Sequence, residues 1–308
     1  MRRAGDLDSG WVGADPDDDL DRQLLEEDDA FDRSRPHVLT ALGPVAPAAL
    51  GPALAAEHVG LLALATAGGG PDGRHELLAE LEDLYNSGIR ALAVECRGEG
   101  LGILHWLAGR VPPHLVVLAP PSAHSARAAG ATQSEDAVES LRPLLGGLLL
   151  DAAGAEAGRA ISHAAASGLP VRIAAAGDAA GATELARRIE TAGIPGSSVS
   201  VSGLAPREAR VVLEGCRAGV ALSADGAGEE WAGAVADLAA SGFAGRISIA
   251  SGIARRGGLL AFGGERGLGW TMATVPLLLM DAGMDALAVR ALFVENPARM
   301  LAINPEAD

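Results

Sequence analysis

The stretch SVSVSGLAPREARVVLEGCRAGVALS, residues 198–223, contains the repeating unit that decides the fold. Its two ends are short apolar runs, SVSVSG at 198–203 and AGVALS at 218–223, and the segment between them is amphipathic and glycine-terminated. Short apolar runs bounded by turn residues are typical of buried strands, whereas longer periodic runs are typical of helices. Residues 198–223 therefore predict a strand, a helix and a second strand.

The same unit recurs along the chain from residue 37 onward. Further strand candidates are ALAAEHVGLLALA near residue 53, ALAVEC at 91–96, HLVVLA at 114–119, GLLLD at 147–151, PVRIAA at 170–175 and RISIAS at 246–251. Most of the helical patterns between them end on glycine, as helix termini prefer. Eight such units in about 250 residues predict an α/β fold, the (β/α)8 TIM barrel. A doubly wound sheet is the alternative, but no GxGxxG motif follows the first strand.

Charge and residue usage exclude several classes of function. The chain has 308 residues, of which 49% are hydrophobic and 21% charged, enough apolar surface for a sizeable core. Its formal net charge of -16 argues against nucleic acid or a membrane surface as a partner. All 24 basic residues are arginine, which excludes Schiff bases, a P-loop lysine, a pyridoxal-phosphate anchor and a carbamylated-lysine metal bridge.

The first 36 residues differ in composition from the rest. They contain twelve acidic residues and five arginines, so we expect a disordered acidic tail over 1–36 and a barrel domain over 37–308. A partner-docking segment is the alternative for this tail. No long apolar stretch or signal-peptide pattern is present, which predicts a cytoplasmic protein. Cys96 and Cys216 lie far apart and indicate neither a disulfide framework nor a zinc ribbon.

Two segments carry a family likeness. GPVAPAALGPALAAEHV at 43–59 and ARRGGLLAFGGERGLGWTMATVPLLLMDAGMDALAVRALFVENPARMLA at 254–302 resemble the opening and closing segments of phosphotriesterase-family proteins, which belong to the amidohydrolase superfamily. The likeness spans residues 37–303 and implies a (β/α)8 barrel. It also implies two divalent metals such as zinc, which activate a bridging water at the barrel mouth.

Most of the metal ligands that this resemblance implies are missing from the sequence. The ligand positions fall on Ala56, His58, Leu150, Ala174, Gly203 (or its neighbour Ser202) and Gly252, so His58 is the one remnant ligand. Asp151 follows Leu150, and strand alternation predicts that it points to the other face. A catalytic zinc needs about three protein ligands. We therefore expect no metal, no other cofactor and no metallohydrolase activity.

Functional groups in such barrels come from the carboxyl ends of strands and the loops that follow. Pocket candidates are therefore His58, Glu95, Cys96, Arg97, Asp151, Arg172, Ser202 and Ser251, with Glu57, Ser223 and Asp225 also at strand ends. Arg172 is expected inside the barrel, either in an ion pair or binding an anion. Cys96 is either a nucleophile or a buried thiol. Glu95 and Asp151 are either an acid/base pair or partners in salt bridges.

The sequence leaves several functions open, and it identifies no catalytic residue. The first hypothesis is a pseudoenzyme that lost the metal centre and binds a small-molecule ligand or a partner protein. The second is a metal-independent or residual hydrolase of an ester, lactone or phosphoester at the same mouth. In a residual metallohydrolase, Glu57, His58, Glu95 and Asp151 would serve as substitute ligands. The third is a regulatory subunit that pairs with an active homologue; a homodimer is also possible.

Overall fold

The centre of the molecule is a ring of parallel strands, which the chain enters through a short hairpin. The hairpin consists of β1 (His37–Thr40) and β2 (Gly43–Val45). The ring strands follow in chain order: β3 (Ala53–His58), β4 (Ala91–Glu95), β5 (His114–Ala119), β6 (Leu145–Asp151), β7 (Val171–Ala174), β8 (Val199–Ser202), β9 (Gly219–Ser223) and β10 (Ile247–Ala250). The final strand of the chain, β11 (Ala302–Ile303), pairs with β1.

The eight ring strands form one parallel sheet in sequence order. Each strand pairs with the next along the chain from β3 to β10. β10 lies beside β3, which closes the ring. This arrangement confirms the predicted (β/α)8 barrel. The strands predicted from residue 91 onward lie within two residues of their expected bounds, whereas the first predicted run extends past residue 58, beyond the described residues.

The computed structural model describes residues 35–58, 72–96, 104, 107–122, 145–152, 157–254 and 256–303. The predicted tail over 1–36 lies outside these residues except for its last two. Arg97 also lies outside them. The described residues belong to one compact unit. No helix among them is long and apolar enough to cross a membrane.

Helices follow the strands and pack against the outside of the ring. They are α1 (Asp72–Asn86), α2 (Ala157–Ser167), α3 (Ala179–Thr191), α4 (Pro206–Gly215), α5 (Glu229–Leu238), α6 (Gly269–Asp281), α7 (Ala286–Phe293) and α8 (Glu295–Met300). Two of them begin at an aspartate whose side chain accepts a hydrogen bond from a backbone N–H of the first turn, Asp178 in α3 and Asp285 in α7. Such caps satisfy donors that a helix start leaves unpaired.

Strand alternation separates a helix-facing core from the barrel interior. In β7, Val171 and Ile173 pack in the large helix-facing cluster, whereas Ala174 packs in a second cluster inside the ring. Arg172 has the same parity as Ala174 and is buried. Because neighbouring residues of a strand point to opposite faces, the polar residues of this parity face the interior.

The amino-terminal end of the barrel is closed by the small sheet of β1, β2 and β11. Val38 and Leu301 pack inside the ring from this side. The backbone approaches so closely that a Cβ on Gly146 would lie 2.2 Å from the carbonyl oxygen of Leu39. Asn296 donates through Nδ2 to the carbonyls of Ala244 and Ile247, so the Asn-Pro-Ala-Arg segment fixes the start of β10. Because side chains fill the amino-terminal end, we expect functional groups at the carboxyl-terminal end of the strands.

Candidate functional site at the barrel mouth

A buried polar cluster lies inside the barrel, and three different strands supply it. Glu95 is the last residue of β4, Arg172 lies in β7, and Ser202 is the last residue of β8. The Ser202 hydroxyl donates a hydrogen bond of 2.6 Å to Oε1 of Glu95. Nη1 of Arg172 lies 3.8 Å from the same oxygen. Charges of opposite sign therefore meet across the ring, from its second strand to its fifth.

The guanidinium of Arg172 is inside the barrel, where alternation in β7 predicts it, and Glu95 is its anionic partner. Arg172 is 1% exposed. Neither Nε, Nη1 nor Nη2 has a hydrogen-bond partner among the described residues. Burial lowers the pKa of Arg172, while the charge of Glu95 raises it. An arginine in a protein nevertheless keeps its proton, so a permanent cation lies in the interior.

A second buried carboxyl, Glu57, joins the first and last strands of the ring. Its Oε1 accepts a hydrogen bond of 2.5 Å from the backbone N–H of Ser251, and its Oε2 accepts a short one from the Ser251 hydroxyl. Burial raises the pKa of Glu57 to about 7, with a smaller upward contribution from Glu95, while both Ser251 hydrogen bonds oppose the rise. This carboxyl therefore changes its charge near neutral pH.

A bulge in β3 determines the direction of Glu57. Leu54 pairs with Leu92 of β4, but Glu57 pairs with Val94, so β3 has one extra residue between these pairs. Val94 packs in the helix-facing cluster. Because of the bulge, Glu57 pairs with a residue that faces the helices and not the barrel interior. Its carboxyl lies where β3 meets the loop after β10. His58, the next residue, pairs with Glu95.

Comparison with known proteins identifies the architecture. No protein-family model and no curated protein matches this sequence. Solved structures do match: a lactonase from Listeria monocytogenes has a TM-score of 0.68 at 16% identity, covering 87% of this chain and 99% of its own. A phosphotriesterase from Mycobacterium tuberculosis has a TM-score of 0.69 at 15% identity, covering 86% and 98%. An amidohydrolase from Mycoplasma synoviae has a TM-score of 0.68 at 16% identity, covering 88% and 93%.

This chain has the phosphotriesterase-like fold. The resemblance that the two terminal segments predict is thus confirmed at the level of the fold. At such identities the likeness says nothing of substrate or activity, because function depends on the site that a fold carries.

Within this phosphotriesterase-like fold, four of the positions where the resemblance implies metal ligands hold alanine or glycine, which have no side chain that binds a metal. Ala56 and Ala174 are buried alanines. Gly203 and Gly252 have positive φ angles of 76° and 74°, a conformation that favours glycine. A Cβ on Gly252 would lie 1.7 Å from Oγ of Ser223, so an aspartate does not fit there.

The donor set of the interior also disagrees with a binuclear centre. Among the described residues, no group of three or more His, Cys, Asp or Glu side chains is placed to hold a metal ion. Glu95, the carboxylate nearest the interior, already accepts from Ser202 and lies beside Arg172. A catalytic zinc takes about three protein ligands, so the described residues do not fit this group.

The structure corrects the faces that the sequence predicts for the end of β6. Leu150 packs in the helix-facing cluster, not in the interior, and Leu149 packs inside the ring. Asp151 pairs with Ala174, which faces the interior, and it is exposed at the end of the strand. Asp151, rather than Leu150, therefore has the inward parity of a strand-four ligand position, because ladder partners share a face.

The other candidates divide between the mouth and the core. Cys96 packs in the helix-facing cluster, on the face of β4 opposite to Glu95, so it does not line the interior. Ser202 and Ser251 each donate a hydrogen bond to a buried carboxyl. The Ser223 hydroxyl accepts from the backbone N–H of Asp225, an exposed residue. The functional roles of these residues stay predictions.

Sequence reasoning missed one buried carboxylate, Glu80 of α1. It accepts hydrogen bonds from the backbone N–H groups of Ala261 (3.0 Å) and Leu268 (2.7 Å), and it thereby fastens the long loop after β10 to α1. Its position was detectable, since Glu80 lies on the helix face of the buried residues Leu77 and Leu84. A charged residue within an apolar stripe indicates a specific partner.

Proposed function

We propose that this chain is a divergent phosphotriesterase-family barrel that has lost its binuclear metal centre and binds a ligand at the barrel mouth without hydrolysing it. The observation that carries the proposal is the buried cation, Arg172, which lies 3.8 Å from the interior carboxylate Glu95. The family resemblance implies divalent metals in this region of the barrel. Here an arginine supplies the positive charge.

Electrostatics supports this proposal. A divalent cation brought to Glu95 would meet the guanidinium of Arg172 at close range, and two positive charges repel strongly in a buried site. Oε1 of Glu95 already accepts from Ser202 and lies near Arg172. Metal binding would require this ion pair to break, which would leave the Arg172 charge buried without a partner.

A second candidate function is a metal-independent hydrolase of an ester, lactone or phosphoester. The observation that favours it is Glu57, whose pKa of about 7 suits a general acid or base near neutral pH. Against it, both Glu57 oxygens are occupied by Ser251, and the residue is 3% exposed. We therefore assign Glu57 to closure of the ring and rank this function second.

The decisive experiment measures metal content and turnover on the same full-length sample. The chain is expressed with added zinc and manganese, and metal per chain is determined by mass spectrometry. Ester, lactone and phosphotriester substrates are then assayed with and without a chelator. We expect no stoichiometric metal and no turnover above the level of a boiled sample. One or two metals per chain, with turnover that the chelator abolishes, would refute the proposal.

Two variants separate the remaining outcomes. Turnover without metal that disappears in Glu57→Gln, while the variant stays folded, would support the second function instead. Glu230→Gln is the matched control, because Glu230 is an exposed glutamate on α5 that pairs with Arg207 far outside the ring interior. The ligand of the proposed binding site is taken to be a small molecule, and docking of a partner protein by the acidic tail stays a separate prediction.

A further inference from the structure

The side-chain N–H groups of Arg172 are buried donors in the barrel interior that make no hydrogen bond to the described residues. A guanidinium carries five N–H donors, and none of the three Arg172 nitrogens has a hydrogen-bond partner among the described residues. Glu95 lies 3.8 Å away, close enough for attraction between charges but too far for a hydrogen bond. Native proteins rarely leave buried donors unpaired, because each loses its hydrogen bonds to water. The described residues therefore supply no hydrogen-bond acceptor to the Arg172 guanidinium.

We propose that the barrel interior beside Arg172 is a binding site for a small monocarboxylate, held by two parallel hydrogen bonds from the guanidinium. This inference rests on the proposed ligand-binding function and names its ligand class. Guanidinium and carboxylate are both planar and match each other in a two-pronged contact. Such a contact would satisfy donors that the described residues leave without a hydrogen bond.

The charges of the site select a carboxylate over a phosphate. Glu95 lies beside Arg172, so any bound anion is attracted by one charge and repelled by another. The repulsion energy between Glu95 and a phosphate dianion is about twice that between Glu95 and a monoanion at the same distance. The whole chain also has a formal net charge of -16, which disfavours multiply charged anions further.

The residues around the site suit the apolar remainder of such a molecule. Four alanines from three strands pack together inside the ring, namely Ala55, Ala56, Ala221 and Ala250. Their methyl groups give this side of the interior an apolar surface. Ser200, the ladder partner of Arg172, has the same inward parity.

The path to the site runs along β7 toward the mouth. Ala174 lies two residues beyond Arg172 on the same face, and it is a small residue. Its ladder partner Asp151 is exposed at the carboxyl end of β6. The other end is closed, because Met300 packs against Gly219 from the amino-terminal side. A ligand therefore enters carboxylate first, with its remainder toward the mouth.

Calorimetric titration and thermal unfolding of the full chain test this site. The probes are acetate and propionate, compared with chloride at the same ionic strength and pH, and inorganic phosphate is titrated separately. We expect the carboxylates to raise Tm in proportion to the logarithm of their concentration above Kd, and chloride to have no such effect. Phosphate should bind more weakly than propionate; tighter phosphate binding would overturn the assignment of a carboxylate.

Variants of the ion pair give the sharper result. Arg172→Met should abolish carboxylate binding, while Arg207→Gln, which removes an exposed arginine, should leave it unchanged. Glu95→Gln keeps an acceptor for Ser202 but removes the repelling charge, so carboxylate binding should tighten about tenfold. This second variant keeps the test decisive if Arg172→Met does not fold. Carboxylates that act no better than chloride on both the native chain and Glu95→Gln would mean that water alone satisfies Arg172.

Metal analysis of the same samples distinguishes the two proposals. Carboxylate binding that a chelator removes and Arg172→Met retains would belong to a bound metal, and it would overturn both. A metal-free, inactive chain that does not bind carboxylates would overturn only the proposal of a monocarboxylate site. The proposed loss of the metal centre would still hold.

Discussion

Glu57 and Ser251 are joined by two hydrogen bonds across the one position in the ring where the described strands form no backbone ladder. The carboxyl of the first strand thus supplies hydrogen bonds at a seam where alanines of β3 and β10 also pack together. The Ser251 hydroxyl also accepts from the backbone N–H of Ile253, which extends this contact into the loop after β10. A group whose charge changes near neutral pH therefore contributes to closure of the barrel.

Glu57→Gln should remove a pH dependence of stability. The Glu57 carboxyl has a pKa of 4.5 when unperturbed and about 7 in the folded chain. Between these pH values the unfolded chain binds fewer protons, so the free energy of unfolding decreases as pH rises from 4.5 to 7 and then levels off. The size of this decrease is about 3 kcal/mol. Glutamine keeps an acceptor and a donor for Ser251 but has no charge.

Urea denaturation at pH 5 and pH 8 measures this effect. The difference in free energy of unfolding between the two pH values should be more negative for the native chain than for Glu57→Gln. Glu229→Gln, an exposed glutamate of α5, is the control and should behave like the native chain. Equal pH dependence in all three proteins would show that the Glu57 carboxyl ionises at its ordinary pKa.

Ser251→Ala should destabilise the chain, and more so at alkaline pH. The change removes the hydroxyl that donates to Oε2 of Glu57, and a buried carboxylate that loses a donor costs about 1–3 kcal/mol. Because hydrogen bonds from Ser251 lower the Glu57 pKa, their loss costs most when the carboxyl is ionised. Urea denaturation at both pH values gives the two costs. Ser162→Ala, on the exposed face of α2, should cost little at either pH; a cost for Ser251→Ala that is independent of pH would contradict the mechanism.

The strands of the barrel could be predicted from sequence because each is a short apolar run between turn residues. Burial on both faces makes such runs conspicuous, as in β8, where Val199 and Val201 pack outward and Ser202 faces inward. The face of each residue was harder to predict at β6. The family resemblance places the strand-four metal-ligand position on Leu150. The pairing of β6 with β7 shows instead that Asp151 has the inward parity.

The candidate site was predicted only in part. Arg172 could be placed inside the ring because alternation fixes its parity. The bulge in β3 could not be predicted from the sequence, because no local pattern marks the extra residue between Leu54 and Glu57. This bulge directs the Glu57 side chain toward Ser251. Contacts between strands that are far apart in the chain, such as Ser202 with Glu95, depend on closure of the whole barrel.

Gly252→Asp, which would restore the aspartate that the family resemblance implies, should destabilise the chain and bind no metal. Gly252 has a φ of 74°, and a Cβ there would collide with Ser223. A side chain in this conformation costs about 1–3 kcal/mol before the collision is counted. Gly257→Asp is the matched control, because a Cβ on Gly257 meets no atom within 4 Å. The comparison is by Tm and by metal content; a Gly252→Asp chain as stable as the control would show that the loop moves freely.

Glu80→Gln should release the loop after β10 without unfolding the barrel. The carboxylate accepts one backbone N–H with each oxygen, from Ala261 and from Leu268. Glutamine has one acceptor, so one N–H would face an amide donor, at a cost of about 1–3 kcal/mol. Hydrogen exchange should therefore accelerate at Ala261 or Leu268, while amides of the ring strands keep their protection. Glu82→Gln changes an exposed residue of the same helix and should leave both amides unaffected. Uniform acceleration across the ring would instead mean that Glu80 stabilises the whole barrel and not the loop alone.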